Sequence, residues 1–288
     1  NPTEPDRVFA SLMVKSGAQH ALANGERAPV KVGVVDTGIA VDHPAFATRL
    51  TDVNEQPDGT AVEFGVSPLR HGTAVTSRSA AGTHKQFDLL FRRPPGGEAA
   101  DLLQGTRQLI DGGARVINLS SKFIEGQFDV RGLLELMRAH PEVLFIRAAG
   151  NSAAEGGRLA DVSVLEQQAA ALPNFMTVAS LDAQGRISRF SAHGDDFVNI
   201  AARGEQQVLA NIEPELPYTT QREGTSYAAP TTENVAGKAL SLDPALTPKK
   251  LIELVERTGD GAKTLRGAEG ALASRGGRLN ADRALRVA

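Results

Sequence analysis

The sequence contains no cysteine, which excludes disulfides, thiolate zinc sites and a cysteine nucleophile. It leaves the redox compartment open, because secreted and cytosolic proteins can both lack the residue. Long apolar runs are missing too, and nothing approaches the roughly 20 residues of a membrane-spanning helix. No HExxH or comparable zinc spacing occurs, and no GxGxxG follows the first strand pattern, which sets aside a dinucleotide site. Basic residues cluster only in short pairs such as Arg92-Arg93 and Lys249-Lys250, within a net charge of −3, so a nucleic-acid footprint is not expected. Internal repeats, low-complexity tracts and linker-like segments are absent as well.

What remains is globular in character. The 288 residues, 41% hydrophobic and 23% charged, suffice to bury a sizeable core as one α/β domain spanning 1–288, with 1–29 expected as a helical extension packed on it. The first residue is Asn1, which implies trimming of something ahead of it, although no signal peptide is visible.

Short apolar or β-branched runs at 31–36, 87–92, 114–120, 143–149, 175–180 and 197–202 read as strands. Apolar residues at successive positions predict burial on both faces, hence a parallel sheet. Segments 99–111 and 128–140 have helical spacing, stopped by Gly112-Gly113 and by Pro141. The alternation predicts an α/β three-layer sandwich with a mostly parallel central sheet flanked by helices. In such sheets the ligand crevice lies outside the carboxyl ends of the strands.

Four residues sit in settings suited to chemistry at a carbonyl. Asp36 closes the run Lys31-Val32-Gly33-Val34-Val35-Asp36 and precedes Thr37-Gly38. His71 opens His71-Gly72-Thr73, Asn151 ends Ala148-Ala149-Gly150-Asn151, and Ser226 lies in Gly224-Thr225-Ser226-Tyr227-Ala228-Ala229-Pro230. A serine hydroxyl is a poor nucleophile without an adjacent base, and the order acid, base, nucleophile is one of the known arrangements of a serine triad. Asp36 and Asn151 fall at predicted strand ends, while His71 and Ser226 each precede a helical pattern, so all four can meet at one rim. Singly, each has a bland reading: a turn-forming Asp, an N-cap Ser, a left-handed Asn. Pro230 is expected to be harmless because the early amides of a helix have no internal partner to lose.

On these motifs, together with Arg275-Gly276-Gly277-Arg278-Leu279-Asn280-Ala281 near the end, the chain resembles the subtilisin-like serine peptidases from about Val30 onward. The resemblance implies a serine endopeptidase in which Asp36 orients the imidazole, His71 is the general base and Ser226 the nucleophile. Asn151 and the Ser226 backbone N–H would form the oxyanion hole. His43, in Asp42-His43-Pro44, is the rival base and is expected to be structural; Asp42 is the rival acid and is not at the strand end. His20, His84, His140 and His193 are expected to be surface or structural. Partners implied are a protein or peptide substrate and a removable propeptide or inhibitor. Relatives are usually exported, which leans localisation toward secretion without excluding the cytoplasm.

The resemblance also lays substrate along Ser120, Ser121 and Lys122, beside Ala149 and Gly150. Here the chain departs from the family pattern. Lys122 replaces an expected glycine, and Glu166, Gln167 and Gln168 stand where small residues usually wall the specificity pocket. Ala74-Val75-Thr76-Ser77 and Ala202-Arg203-Gly204 are further departures. No cofactor is expected: the family's calcium loop has no clear counterpart, and Asp52, Asn54, Glu55 and Asp58 read as a solvated acidic turn. These departures keep a second reading open, a subtilisin-fold regulatory or binding module with an occluded or partner-activated cleft.

Overall fold

The computed structural model describes residues 29–46, 50–54, 69–82, 87–93, 102–120, 129–151, 164–213, 215–267 and 270–288. The predicted N-terminal helical extension lies outside them. Strands β1 (Val30–Val35), β2 (Leu50–Asn54), β3 (Phe87–Arg92), β4 (Val116–Leu119), β5 (Leu144–Ala148), β6 (Phe175–Leu181) and β7 (Ile200–Arg203) form one sheet in the order β2-β3-β1-β4-β5-β6-β7. Every neighbouring pair is parallel. Because strand side chains alternate between faces, successive residues feed two separate cores. Leu89, Phe91, Val116, Leu144 and Ile146 enter one; Leu90, Ile117, Leu119 and Phe145 enter the other.

Helices complete the three layers. α1 (Leu69–Ser79), α5 (Thr225–Leu242), α6 (Pro248–Thr258) and α7 (Ala281–Val287) cover the first face, where Val75, Ala236, Leu251 and Ala284 pack. α2 (Leu102–Asp111) and α3 (Val130–Ala139) cover the second through Leu109, Leu133 and Met137. A short helix α4 (Val164–Ala170) precedes β6, and an antiparallel hairpin, β8 (Leu209–Glu213) with β9 (Leu216–Thr219), precedes α5. Among the described residues no helix is long and apolar enough to cross a membrane.

β3 lies on one side of β1 and β4 on the other, so the strand order reverses at β1. The crevice at that reversal is where ligands bind in sheets of this kind. Sequence and structure differ at the edges. β2 escapes prediction because Leu-Thr-Asp-Val-Asn is a partly exposed edge strand with little apolar pattern. β7 begins only at Ile200, because Phe197 and Val198 instead bond back to Gly194. The expected Asn-Ala helix start is present: Asn280 caps α7, accepting the Arg283 amide at 2.9 Å.

Candidate functional site

Asp36 is the first residue beyond β1 and is only 4% exposed. Its Oδ1 accepts the Thr37 amide at 2.7 Å, which locks the turn and aims the carboxylate across the crevice. His71 lies in the first turn of α1, not ahead of the helix as expected. Its Nδ1 donates to Asp36 Oδ1 at 2.8 Å and to Oδ2 at 3.0 Å. The glycine after His71 has a steric reason: a Cβ on Gly72 would lie 2.1 Å from the Gly38 carbonyl oxygen, so only glycine lets the helix start against the Asp36 turn. Thr73 Oγ1 then accepts the Ala40 amide at 2.9 Å. Desolvation and the Arg222 charge act to lower the His71 pKa, but the Asp36 carboxylate outweighs them and holds it above its ordinary value. The imidazole nevertheless keeps 39% of its surface open.

Ser226 is the second residue of α5. Pro230, four residues on, has no amide to give the Ser226 carbonyl, so it removes an i→i−4 bond that an ordinary residue would make there. This corrects the expectation that Pro230 is harmless. The structure compensates from the sheet: Ser120 Oγ donates to the Ser226 carbonyl at 3.0 Å, and Asn118 Nδ2 donates to Ser120 Oγ at 2.8 Å. In return Ser226 Oγ donates to the Ser120 carbonyl at 3.2 Å. Among the described residues, then, the hydroxyl of Ser226 is bonded to Ser120, and the hydrogen bonds of His71 go to Asp36.

Asn151 follows β5. The left-handed turn there is made by Gly150, at φ 108°, and Asn151 is not a positive-φ residue, so the bland reading of Asn151 does not apply. Its Oδ1 accepts both the Thr225 amide at 3.0 Å and the Thr225 hydroxyl at 2.8 Å. The bond to the amide caps α5 from another element, since Gly224 has no side chain to do so. With Oδ1 so occupied, Nδ2 is the donor end, and a Cβ on Gly224 would lie 3.5 Å from it. Ala149 is buried, its amide bonded to Val178, and the Gly150 amide donates to Thr225 Oγ1 at 3.1 Å. These two residues can wall a cleft, but their amides are already taken.

Other nominated residues fall differently. Ser121 and Lys122 lie outside the described residues, as do His20, His84, Glu55 and Asp58. Gln168 accepts from Arg138 at 3.2 Å. That contact ties its amide to α3. Asp52 is on β2 and pairs with Arg92 at 2.5 Å, so it is part of a strand rather than of a solvated acidic turn. Asn54 ends the same strand. Asp42 is exposed. His43 is buried, with Nδ1 accepting the Ala45 amide at 3.0 Å and Nε2 donating to the Pro217 carbonyl at 2.8 Å. Both ring nitrogens are used, one within its own turn and one in holding the β8–β9 hairpin, and burial lowers the His43 pKa.

Sequence reading passed over several neighbours of the site. Tyr227 stacks beside His71 at 5.9 Å between ring centroids, tilted by 41°. Arg222 donates to the carbonyl of Arg70, the residue before His71, at 3.4 Å. Glu233, on α5 and fully buried, accepts a hydrogen bond from Ser79 of α1. Its signal in sequence was a lone acid amid the small and apolar residues that follow Ser226.

Residues 27–278 match the family model described as the Subtilase family. The chain is 30% identical over 247 residues to the halolysin-like extracellular serine protease Nep of Natrialba magadii, covering 77% of this chain and 42% of that protein. It is 28% identical over 277 residues to Mycosin-4 of Mycobacterium tuberculosis, covering 79% and 59% respectively. The chain thus spans about half the length of the curated relatives it matches. Among solved structures, the prenylagaramide maturation protease PagA aligns with a TM-score of 0.66 at 22% identity, over 94% of this chain and 97% of that one. That last likeness is one of fold.

Proposed function

We propose that this chain, which belongs to the subtilase family and is a subtilisin-like serine peptidase, cleaves peptide bonds through Asp36, His71 and Ser226. The observation that carries this reading is the His71 Nδ1 proton shared between both Asp36 oxygens, at 2.8 and 3.0 Å. It fixes the tautomer and leaves Nε2 as the base. When substrate enters, Ser226 Oγ exchanges its bond to the Ser120 carbonyl for one to Nε2 and attacks the scissile carbon. The imidazolium that forms is stabilised by the Asp36 carboxylate and returns the proton to the leaving amine. The Asn151 Nδ2 and the Ser226 amide at the α5 N-terminus meet the developing oxyanion.

The substrates are peptides or proteins. Lys122, in the stretch that would accept the substrate backbone as an added strand, restricts which side chains can lie there. The extracellular relative supports export of this chain, and a propeptide or inhibitor would occupy the same edge. A second reading, of a cleft activated only by substrate or a partner, is favoured by one observation: the Ser226 hydroxyl is bonded to Ser120. Labelling with a fluorophosphonate probe, followed by peptide mapping, tests both. Rapid modification of Ser226 in the isolated chain supports the active peptidase. Modification only after addition of a partner supports the activated cleft, and none under any condition removes Ser226 from the chemistry.

A further inference from the structure

Arg222 lies in the loop between β9 and α5, four residues before Ser226. It is half-buried, and two elements hold its guanidinium. It donates to Asn211 Oδ1 of β8 at 3.1 Å and to the carbonyl of Arg70 in the first turn of α1 at 3.4 Å. Both acceptors are neutral, and among the described residues no carboxylate pairs with it. The nearby hairpin carboxylate, Glu213, is taken by Arg70 at 2.9 Å. A half-buried charge fixed in this way, with no carboxylate paired to it among the described residues, is prepared to receive one.

Its position says from which side. Arg222 holds the carbonyl of Arg70, the residue immediately before His71, at 3.4 Å, so Arg222 borders the turn that carries the imidazole. Ser120 and Gly150 lie toward the sheet strands β4 and β5. In the reaction set out above, the amine that departs takes its proton from His71, so the part of the substrate beyond the cleaved bond lies toward the imidazole. We propose that Arg222 makes the cleft selective for substrates carrying a carboxylate on the leaving side of the cleaved bond. This inference rests on the peptidase reading and deepens it by naming the substrate class. The carboxylate is supplied either by an Asp or Glu side chain or by the substrate's own C-terminus.

The test compares wild type with Arg222→Gln, Arg222→Lys and Arg222→Glu on matched peptides. One arm has amidated ends, with Asp, Asn or Lys at the first or second position after the cleaved bond. The other arm has short peptides ending in a free carboxylate or an amide. Wild type should favour Asp over Asn by up to about fivefold in kcat/KM, the upper end of what an exposed ion pair supplies. Arg222→Gln should abolish that ratio, Arg222→Lys should keep part of it, and Arg222→Glu should reverse it toward Lys. The arm that shows the effect identifies the source of the carboxylate. Removing the cation should also move the acidic limb of the pH profile upward, because Arg222 opposes the Asp36 carboxylate at His71. Fluorophosphonate labelling of each variant verifies that its site is assembled. Equal losses on Asp, Asn and Lys peptides, with labelling intact, would overturn the inference and make Arg222 a strut of the loop. Failure of wild type to hydrolyse any peptide and to label, with or without an added partner, would overturn the peptidase reading, and this inference with it.

Discussion

Ser120 and Ser226 exchange hydrogen bonds, each hydroxyl donating to the other's carbonyl, at 3.0 and 3.2 Å. One of these bonds replaces the helical partner that Pro230 cannot supply. The other parks the Ser226 hydroxyl on the carbonyl that follows β4. Ser120→Ala therefore leaves a buried carbonyl and the Asn118 amide without a partner, and should cost about 1–3 kcal/mol in denaturant unfolding. Ser120→Thr, which keeps the hydroxyl, should recover most of it. An alanine variant as stable as wild type would mean that water caps the Ser226 carbonyl instead.

Ser226→Ala and His71→Ala should each remove nearly all amide hydrolysis while leaving the circular dichroism spectrum unchanged. Members of a triad act as a unit, so the double variant should be no slower than either single one. Additive losses would separate the two residues mechanistically.

The pH dependence follows from the Asp36–His71 pair. His71 must be neutral to accept the Ser226 proton, and its pKa is raised above 6.5, so kcat/KM should climb through an acidic limb centred above 6.5. The stability contribution runs the other way. A histidine that binds its proton more tightly when folded stabilises fully below its unfolded pKa and loses that contribution as pH rises through the folded one. Peptidase activity should therefore increase over the interval in which this pair ceases to stabilise. Rate profiles and thermal melts on one pH grid would check both limbs.

Asn151→Ala should lower kcat by roughly 10²–10³ with little change in KM, a magnitude taken from an oxyanion-hole asparagine in another subtilase. Some stability should go as well, because Oδ1 caps the Thr225 amide. Asn151→Asp, which keeps that acceptor but loses the donor, should restore stability without restoring kcat.

Glu233 gives a separate test on the fold. Burial pushes its pKa well above the ordinary carboxyl value, against the bond from Ser79 and the nearby Asn118 amide. It thus stays protonated in the folded chain at pH values where the unfolded chain has released the proton, and its contribution declines as pH rises from about 4.3 toward the folded value. Glu233→Gln should be stabilising at pH 8 and nearly neutral at pH 4, as read by melts across that range. A constant difference over the whole range would show that the carboxyl does not titrate between the two states.

The sheet was legible because its central strands are apolar on successive positions, and β3 was predicted residue for residue at Phe87–Arg92. The positions of Asp36, His71, Asn151 and Ser226 were legible because short motifs carry local geometry, such as the glycine that must sit against Gly38. Relations between distant segments were not. Nothing local says that Ser120 would serve the carbonyl orphaned by Pro230, that Asn151 would cap α5, or that Arg222 would come to rest by His71. Edge strand β2 and the β8–β9 hairpin were invisible for a different reason: they are short and partly exposed, so tertiary contact and not pattern defines them.

α5 packs against β1, β4, β5, β6 and β7, as well as α1 and α7. Asp36 and Ser226, 190 positions apart in sequence, reach the same rim only when that helix is seated on a sheet whose parallel strands are slow to pair. On the proposed mechanism, catalytic competence is expected late in folding. A chain still being synthesised, or one with α5 undocked, would hold its serine far from its base and be harmless to its neighbours. In a refolding time course, hydrolysis should lag the return of secondary structure and coincide with the docking of this one helix.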